Sequence, residues 1–513
     1  MTDDPTIAFQ RLKNPHPRRA RGLMLQGTAS DVGKSLLVAG LCRAYTRRGL
    51  VVRPFKAQNM SNNAAVTLDG EHPGQRGEIG RAQALQARAC KAPCSVHMNP
   101  VLLKPESDID CQVVLRGQVL GRWSASAYQR LKPKLMPAVL DSLERLGAEA
   151  DLLVVEGAGC GAERYLRAQD ITNMALAEAA DLAVCIVADE SRGGVMAALL
   201  GMHGLLDPSE RQRVIGYIVN KFRGDPRVFD PAAEEITARS GWANLGLVGW
   251  FDAAGRLPAE DSLALEKKGA GGSGVLTLAV PRLSRIANFD DLDPLAAEPG
   301  VRVIWVAPGQ PIPRDADVIV LPGSKATRAD LAMLRAEGWD IDILAHVRQG
   351  GRVVGLCAGF QMLGKVVRDP QGIEGPPGES AGLGLLDIET VIGGEKRLVD
   401  LAVTERRSGC ALTGYEMHMG TTQGPGLARP WLVFDDHGAA RPQGACSADG
   451  RVMGAYVHGI FAADGFRAHW LGQVGAPPSS LLFEDRIEGA LDALADHCEA
   501  ALDLDRLWEL ARR

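Results

Sequence analysis

The sequence predicts an α/β protein of two domains, each a mostly parallel sheet flanked by helices. Three observations lead there. The chain has 513 residues with 46% apolar content, more than a single hydrophobic core holds. Its buried-type runs are rich in Val, Ile and Leu without strict alternation, as in strands covered on both faces. Those runs form two blocks, parted by the charged and then glycine-rich stretch EKKGAGGSG (266–274).

Taken in order, residues 1–20 form an N-terminal extension. The basic run RLKNPHPRRARG (11–22) reads as solvated chain. Residues 21–262 form the first domain, with strands expected at GLMLQGT, LVVRPFKA, DLLVVEGAG, DLAVCIVAD and RVIGYIVNKF. Residues 263–274 are a linker. Residues 275–513 form the second domain, with strands at VLTLAV, VRVIWVA, DVIVLPG and RVVGLCAG. A net charge of −5 creates no global field for nucleic acid, and no apolar stretch is long enough for membrane insertion. Ten cysteines without a CxxC pair or a secretory signal fit reduced thiols in a cytoplasmic enzyme, with homo-oligomerisation left open.

The first block carries a phosphate loop. LMLQGTASDVGKSLLVAGLCRAY reads as strand, glycine-rich loop and helix, so loop amides and the helix N-terminus can face phosphate oxygens. Gly27, Thr28, Gly33, Lys34 and Ser35 are the candidate nucleotide cradle. Lys34 can reach the terminal phosphates of ATP and Ser35 can ligate Mg²⁺. Gly27 and Gly33 enclose five residues, one more than the simple pattern. Glu156 ends a strand where an acid can hold Mg²⁺, or is simply a charged strand end. Asn220, ending another strand, reads an adenine edge or caps a loop.

The second block carries a nucleophile. In GRVVGLCAGFQMLG (351–364), Cys357 stands at the corner between strand and helix, with Gly355 and Gly359 relieving crowding. The helix start favours a thiolate. The Ala358 amide can hold an oxyanion, with a second donor at Gly323 or Ser324 in VLPGSKAT. His458, in GAYVHGIF, is the candidate base. Ile460 occupies the place two residues beyond it, so the local sequence names no acid to orient the ring.

These segments also carry a resemblance. GTASDVGKS with VVEGAG resembles the dethiobiotin synthetase branch of P-loop proteins, and GLCAGFQ with His458 resembles class I glutamine amidotransferases. PFKAQNMS, EIGRAQALQA, MNPVLLKP, RGGV, NKFRGD and GYEMHMG together resemble the cobyric acid synthase family. The resemblance implies the two corresponding folds and an ATP- and glutamine-dependent amidoligase of cobalamin biosynthesis. Its corrinoid substrate would be adenosylcobyrinic acid a,c-diamide, amidated at the b, d, e and g carboxylates. It implies that Gln361 contacts glutamine, that Lys56 lies near the phosphates or the activated carboxylate, and that Glu78 is a second metal acid unless it is a helix-surface carboxylate. Glu416 and His418 would shape the pocket. Tyr165, Ala168, Gln169 and Ser191 stand where the family commonly has other residues, so the resemblance assigns no corrinoid contacts. The rival from the same chemistry is cobyrinic acid a,c-diamide synthase. The rival from another class is a partition-type P-loop ATPase, which leaves Cys357 and His458 idle.

Overall fold

A computed structural model describes residues 20–68, 75–260, 265, 274–394, 396–436 and 439–512. The N-terminal extension apart from Ala20, and nearly all of the expected linker, lie outside these residues.

The first domain is organised by a six-stranded parallel sheet. Its spatial order is Ala243–Gly249, Val214–Phe222, Ala183–Asp189, Arg21–Gly27, Leu152–Cys160 and Val52–Phe55. The five predicted strands are all present. Their central residues, such as Leu23, Val154 and Ile186, are fully buried because helices cover both faces. Parallel pairing gathers the strand ends at one edge. The phosphate loop, Lys56, Glu156 and Asn220 all emerge there. Beside this sheet lie a mixed one of Gln58–Met60, Val101–Pro105, Asp110–Leu115 and Gln118–Ser124, and the hairpin Ala64–Leu68/Arg76–Gly80.

The second domain repeats the scheme. Its sheet runs Val301–Val306, Leu276–Pro281, Val318–Leu321, Arg352–Leu356, Val452–Ala455 and Ala445–Cys446, parallel except for the last pair. A five-stranded antiparallel sheet containing Arg397–Glu405 and Ala411–His418 packs beside it and ends on Val457–His458.

The expected division at 275 needs one correction. Helix Phe483–Ala501 and helix Leu504–Leu510 return to the first domain. Phe483, Leu491, Leu494 and Leu507 pack with Leu37, Val38 and Leu41 of helix Lys34–Arg47. Arg47 pairs with Asp496 at 2.6 Å, and Arg88 with Glu488 at 2.7 Å. The helix that opens at the phosphate loop is thus covered by the chain's C-terminal end. Among the described residues no helix is long and apolar enough to cross a membrane.

Leu491 is fully buried in this contact. Leu491→Ala should cost about 2–5 kcal/mol. The signature is a lower urea midpoint for the unfolding transition that added nucleotide protects.

Candidate active site

Two cavities carry the chemistry. The larger, about 650 Å³, opens over the phosphate loop and is of a size for a nucleoside triphosphate. Gly33, Lys34, Ser35, Lys56 and Glu156 line it. Gly33 adopts φ 94°, and a Cβ there would lie 2.2 Å from Asn220 Nδ2, so both conformation and space demand glycine. Gly27 ends the strand beneath the loop, and Thr28 N–H donates to Val187 O at 3.0 Å. The Lys34 ammonium donates to Ala29 O at 3.2 Å and Gly159 O at 3.1 Å. Burial lowers its pKa, with Glu156 opposing. Phosphate oxygens would be stronger, charged acceptors for it.

Beside Lys34 is a cation-demanding cluster. Ser35 Oγ lies 2.7 Å from Glu156 Oε1 and 2.8 Å from Glu260 Oε2, within hydrogen-bond reach of either carboxylate. Lys56 Nζ lies 2.8 Å from Glu156 and 2.6 Å from Glu260. Burial disfavours the Lys56 ammonium, but the two carboxylates outweigh it and raise its pKa. Hard oxygen donors around a position already claimed by one cation suit Mg²⁺. Glu260 escaped the sequence reading; its only local signal is an acid after Pro258. Asn220 Nδ2 donates to Val32 O at 2.8 Å, so here it braces the loop.

Glu78 requires a correction as an expected metal acid. It sits on the strand Arg76–Gly80, outside the lining of the nucleotide cavity. Lys104, at 2.5 Å, and Lys396 take its two oxygens. Burial would raise this carboxyl, yet the two ammonium groups hold it at about 2. Burial lowers Lys396 to about 7 despite the pull of Glu78. Glu78 and Lys104 come from the first domain and Lys396 from the second, so the cluster joins the domains.

The second cavity is lined by Gly323, Cys357, Ala358, Gln361, His418 and His458 among others. Cys357 has φ 53° and ψ −108°, a conformation rare for a residue with a Cβ. Gly359 permits that corner, because a Cβ there would lie 2.1 Å from Leu321 O. Cys357 Sγ donates to Met417 O at 3.6 Å, and His458 lines the same cavity. His458 Nδ1 is 2.6 Å from Asp291 Oδ2, and Asp291 Oδ1 accepts from Gly459 N–H at 2.7 Å. Asp291 is therefore the orienting acid that the sequence around His458 lacks. Burial works against a charged ring, but Asp291 and the Cys357 sulfur outweigh it and raise His458 to about 10. His458 is thus the base available to Cys357.

The remaining pocket residues organise this pair. Gln361 is buried and fully engaged: it accepts from Thr327 Oγ1 at 2.9 Å and donates to Met419 O and Tyr456 Oη, each at 3.2 Å. His418 stacks on Tyr456 with centroids 3.6 Å apart, and both its ring nitrogens are buried without hydrogen-bond partners. Glu416 is bound by Arg397 and Gln443.

The first domain completes the second cavity. Asn62 and Lys104 line it, while Gln58, Asn59 and Met60 line the nucleotide cavity. Helix Arg81–Ala89 lines the nucleotide cavity with Ala82 and Leu85, and its first residue reaches the neighbours of His458. Arg81 Nη2 donates to Tyr415 Oη at 2.6 Å, Tyr415 stacks on His458, and Arg81 pairs with Asp290 at 3.0 Å. At the other end, Gln86 Nε2 donates to Glu156 Oε2 at 2.7 Å.

A cysteine, histidine and aspartate triad beside a phosphate-loop domain defines a glutamine-dependent amidoligase. The comparisons agree. Residues 23–264 match the CobQ/CobB/MinD/ParA nucleotide binding domain, and residues 277–466 match the CobB/CobQ-like glutamine amidotransferase domain. A cobyric acid synthase of Methylorubrum populi is 57% identical over 96% of this chain and 99% of its own length. One of Paracoccus denitrificans is 56% identical, with the same coverage. The chain belongs to the cobyric acid synthase family.

Asp291→Asn should slow glutamine hydrolysis roughly 10²-fold or more. Loss of the carboxylate lowers the imidazolium pKa and weakens the partner that stabilises the thiolate. The pH midpoint for alkylation of Cys357 by iodoacetamide should therefore move upward. An unchanged profile would mean that Asp291 does not charge the ring.

Proposed function

We propose that this protein amidates the b, d, e and g carboxylates of adenosylcobyrinic acid a,c-diamide, using ATP and glutamine, to give adenosylcobyric acid. The observation carrying this reading is the segment Gln58–Asn62, which lines the phosphate-loop cavity at one end and the thiol cavity at the other.

In the thiol cavity, Glu374 offers negative charge and Lys325 positive charge, complementary to zwitterionic glutamine. The Cys357 thiolate attacks the side-chain amide carbon. The amides of Ala358 and Gly323 face the developing oxyanion. The His458 imidazolium protonates the departing nitrogen, which leaves as ammonia. His458 then activates water to hydrolyse the thioester and release glutamate.

In the nucleotide cavity, a substrate carboxylate oxygen forms a bond to the γ-phosphorus while the bond to ADP breaks. Ser35, Glu156 and Glu260 would hold Mg²⁺, which supplies charge neutralisation for the phosphates. Lys34 and Lys56 steady the transferring group. Ammonia displaces phosphate from the acyl phosphate and loses a proton, leaving the amide. Each carboxylate consumes one ATP, one glutamine and one water. Ammonia travels between the sites along residues 58–63 and helix Arg81–Ala89. Asn62 Oδ1, Asn63 Oδ1 and Gln86 Oε1, buried without hydrogen-bond partners, accept its N–H groups.

The test is product mass and nitrogen source. Wild-type enzyme should add four amides to the a,c-diamide. Cys357→Ala should lose about 10³-fold or more with glutamine and retain turnover with ammonium salts at alkaline pH. Lys34→Ala should lose both. Failure of wild-type enzyme to amidate the a,c-diamide overturns the reading.

A further inference from the structure

A third cavity of about 460 Å³ adjoins the nucleotide cavity. The two share Ser30, Gln58, Ala158 and Gly159, the residues around the phosphate-loop mouth beside Lys34. The third cavity extends away from the nucleotide cavity, beneath the loop Cys160–Asn173 and against residues Gln129 and Lys132.

Two side chains there present polar groups that no protein group engages among the described residues. Lys132 is only 7% exposed, and among the described residues no carboxylate or hydrogen-bond acceptor pairs with it. Burial lowers its pKa, and Asp170 is the acid that opposes this. Asp170 is already committed: it accepts from the backbone N–H groups of Thr172, Asn173 and Ala175, and pairs with Arg167. Arg167, the other cation at this wall, is itself held by Asp170 and Glu210. Gln129 Oε1 is buried with no donor. An ammonium and an amide oxygen left in this state cost stability in the free protein, and a ligand that satisfies both recovers it. At the rim, Tyr165 is 78% exposed, an aromatic face open to solvent.

We infer that this cavity binds the acceptor substrate, with Lys132 anchoring one peripheral carboxylate and Gln129 accepting an N–H from a neighbouring amide arm. The inference rests on the amidation proposed above and assigns that substrate its site. The ligand chemistry is a polycarboxylate already carrying some amides, which is what the two unpaired groups complement. A corrin ring exceeds the cavity, so one edge enters while the ring face lies against Tyr165. A second arm then reaches the shared mouth, where phosphoryl transfer occurs. Amidation at successive positions requires the ring to leave and return with another arm forward, and a single ammonium anchor at the edge permits that.

The experiment compares Lys132→Met and Gln129→Leu with wild type. It measures KM for the a,c-diamide, KM for ATP and the thermal midpoint. For Lys132→Met the corrinoid KM should rise about tenfold or more, with the ATP KM within twofold and a thermal midpoint equal to or above wild type, because an unpaired buried charge has been removed. Gln129→Leu should raise the corrinoid KM about threefold. A lower midpoint with unchanged corrinoid KM makes Lys132 a structural residue and overturns the assignment. An equal rise in both KM values places Lys132 on the nucleotide and also overturns it. If wild type amidates the a,c-diamide while the variants match it, this site fails and the proposed activity stands. If wild type does not amidate it, both fall.

Discussion

The working geometry of both sites depends on one enclosed guanidinium. Arg81 belongs to the nucleotide domain, yet its partners, Asp290 and Tyr415, belong to the thiol domain. Burial disfavours its charge, and the surrounding acids and phenol outweigh that cost and raise its pKa. Removing one partner from such a pair leaves an uncompensated charge, so the pair resists separation. Asp290 precedes Asp291, which orients His458, and Tyr415 stacks on the same ring. The His458 imidazole is therefore fixed partly by a residue whose helix also reaches Glu156 through Gln86.

Burial pushes down both histidines of the thiol cavity, and their neighbours decide which one overcomes it. His458 and His418 both line the cavity and both are largely enclosed. One is raised to about 10 and the other lowered to about 3. Burial pushes both down. Asp291 and Cys357 reverse the effect at His458, whereas Arg397 reinforces it at His418. One ring can thus serve as acid and base while the other stays neutral. The nucleotide cavity follows a similar logic, with Lys56 held between two carboxylates that also suit a divalent cation. Groups poised in this way trade stability for readiness.

Much of this was legible in the sequence where the signal is local. Continuous apolar runs marked the parallel strands, and glycines around Cys357 and Lys34 marked the two loops. The antiparallel sheets were missed because strands such as Arg397–Glu405 are half-exposed and give no continuous apolar run. Asp291 lies 167 residues before His458 and reads in sequence as an acid in a helix-starting turn. Glu78 misled because its two lysine partners, at positions 104 and 396, are distant in the chain. The helix Phe483–Ala501 packs on the first domain through its apolar stripe, and such a stripe in sequence does not say which domain it covers.

The central claim is that nitrogen passes inside the protein from the thiol to the phosphorylated acid. It is tested most directly by supplying amide-¹⁵N glutamine, ATP, Mg²⁺ and the a,c-diamide at neutral pH in a large excess of unlabelled ammonium. Internal passage predicts products that keep nearly all of the ¹⁵N. Products whose label is diluted to the ratio in bulk solution would contradict it.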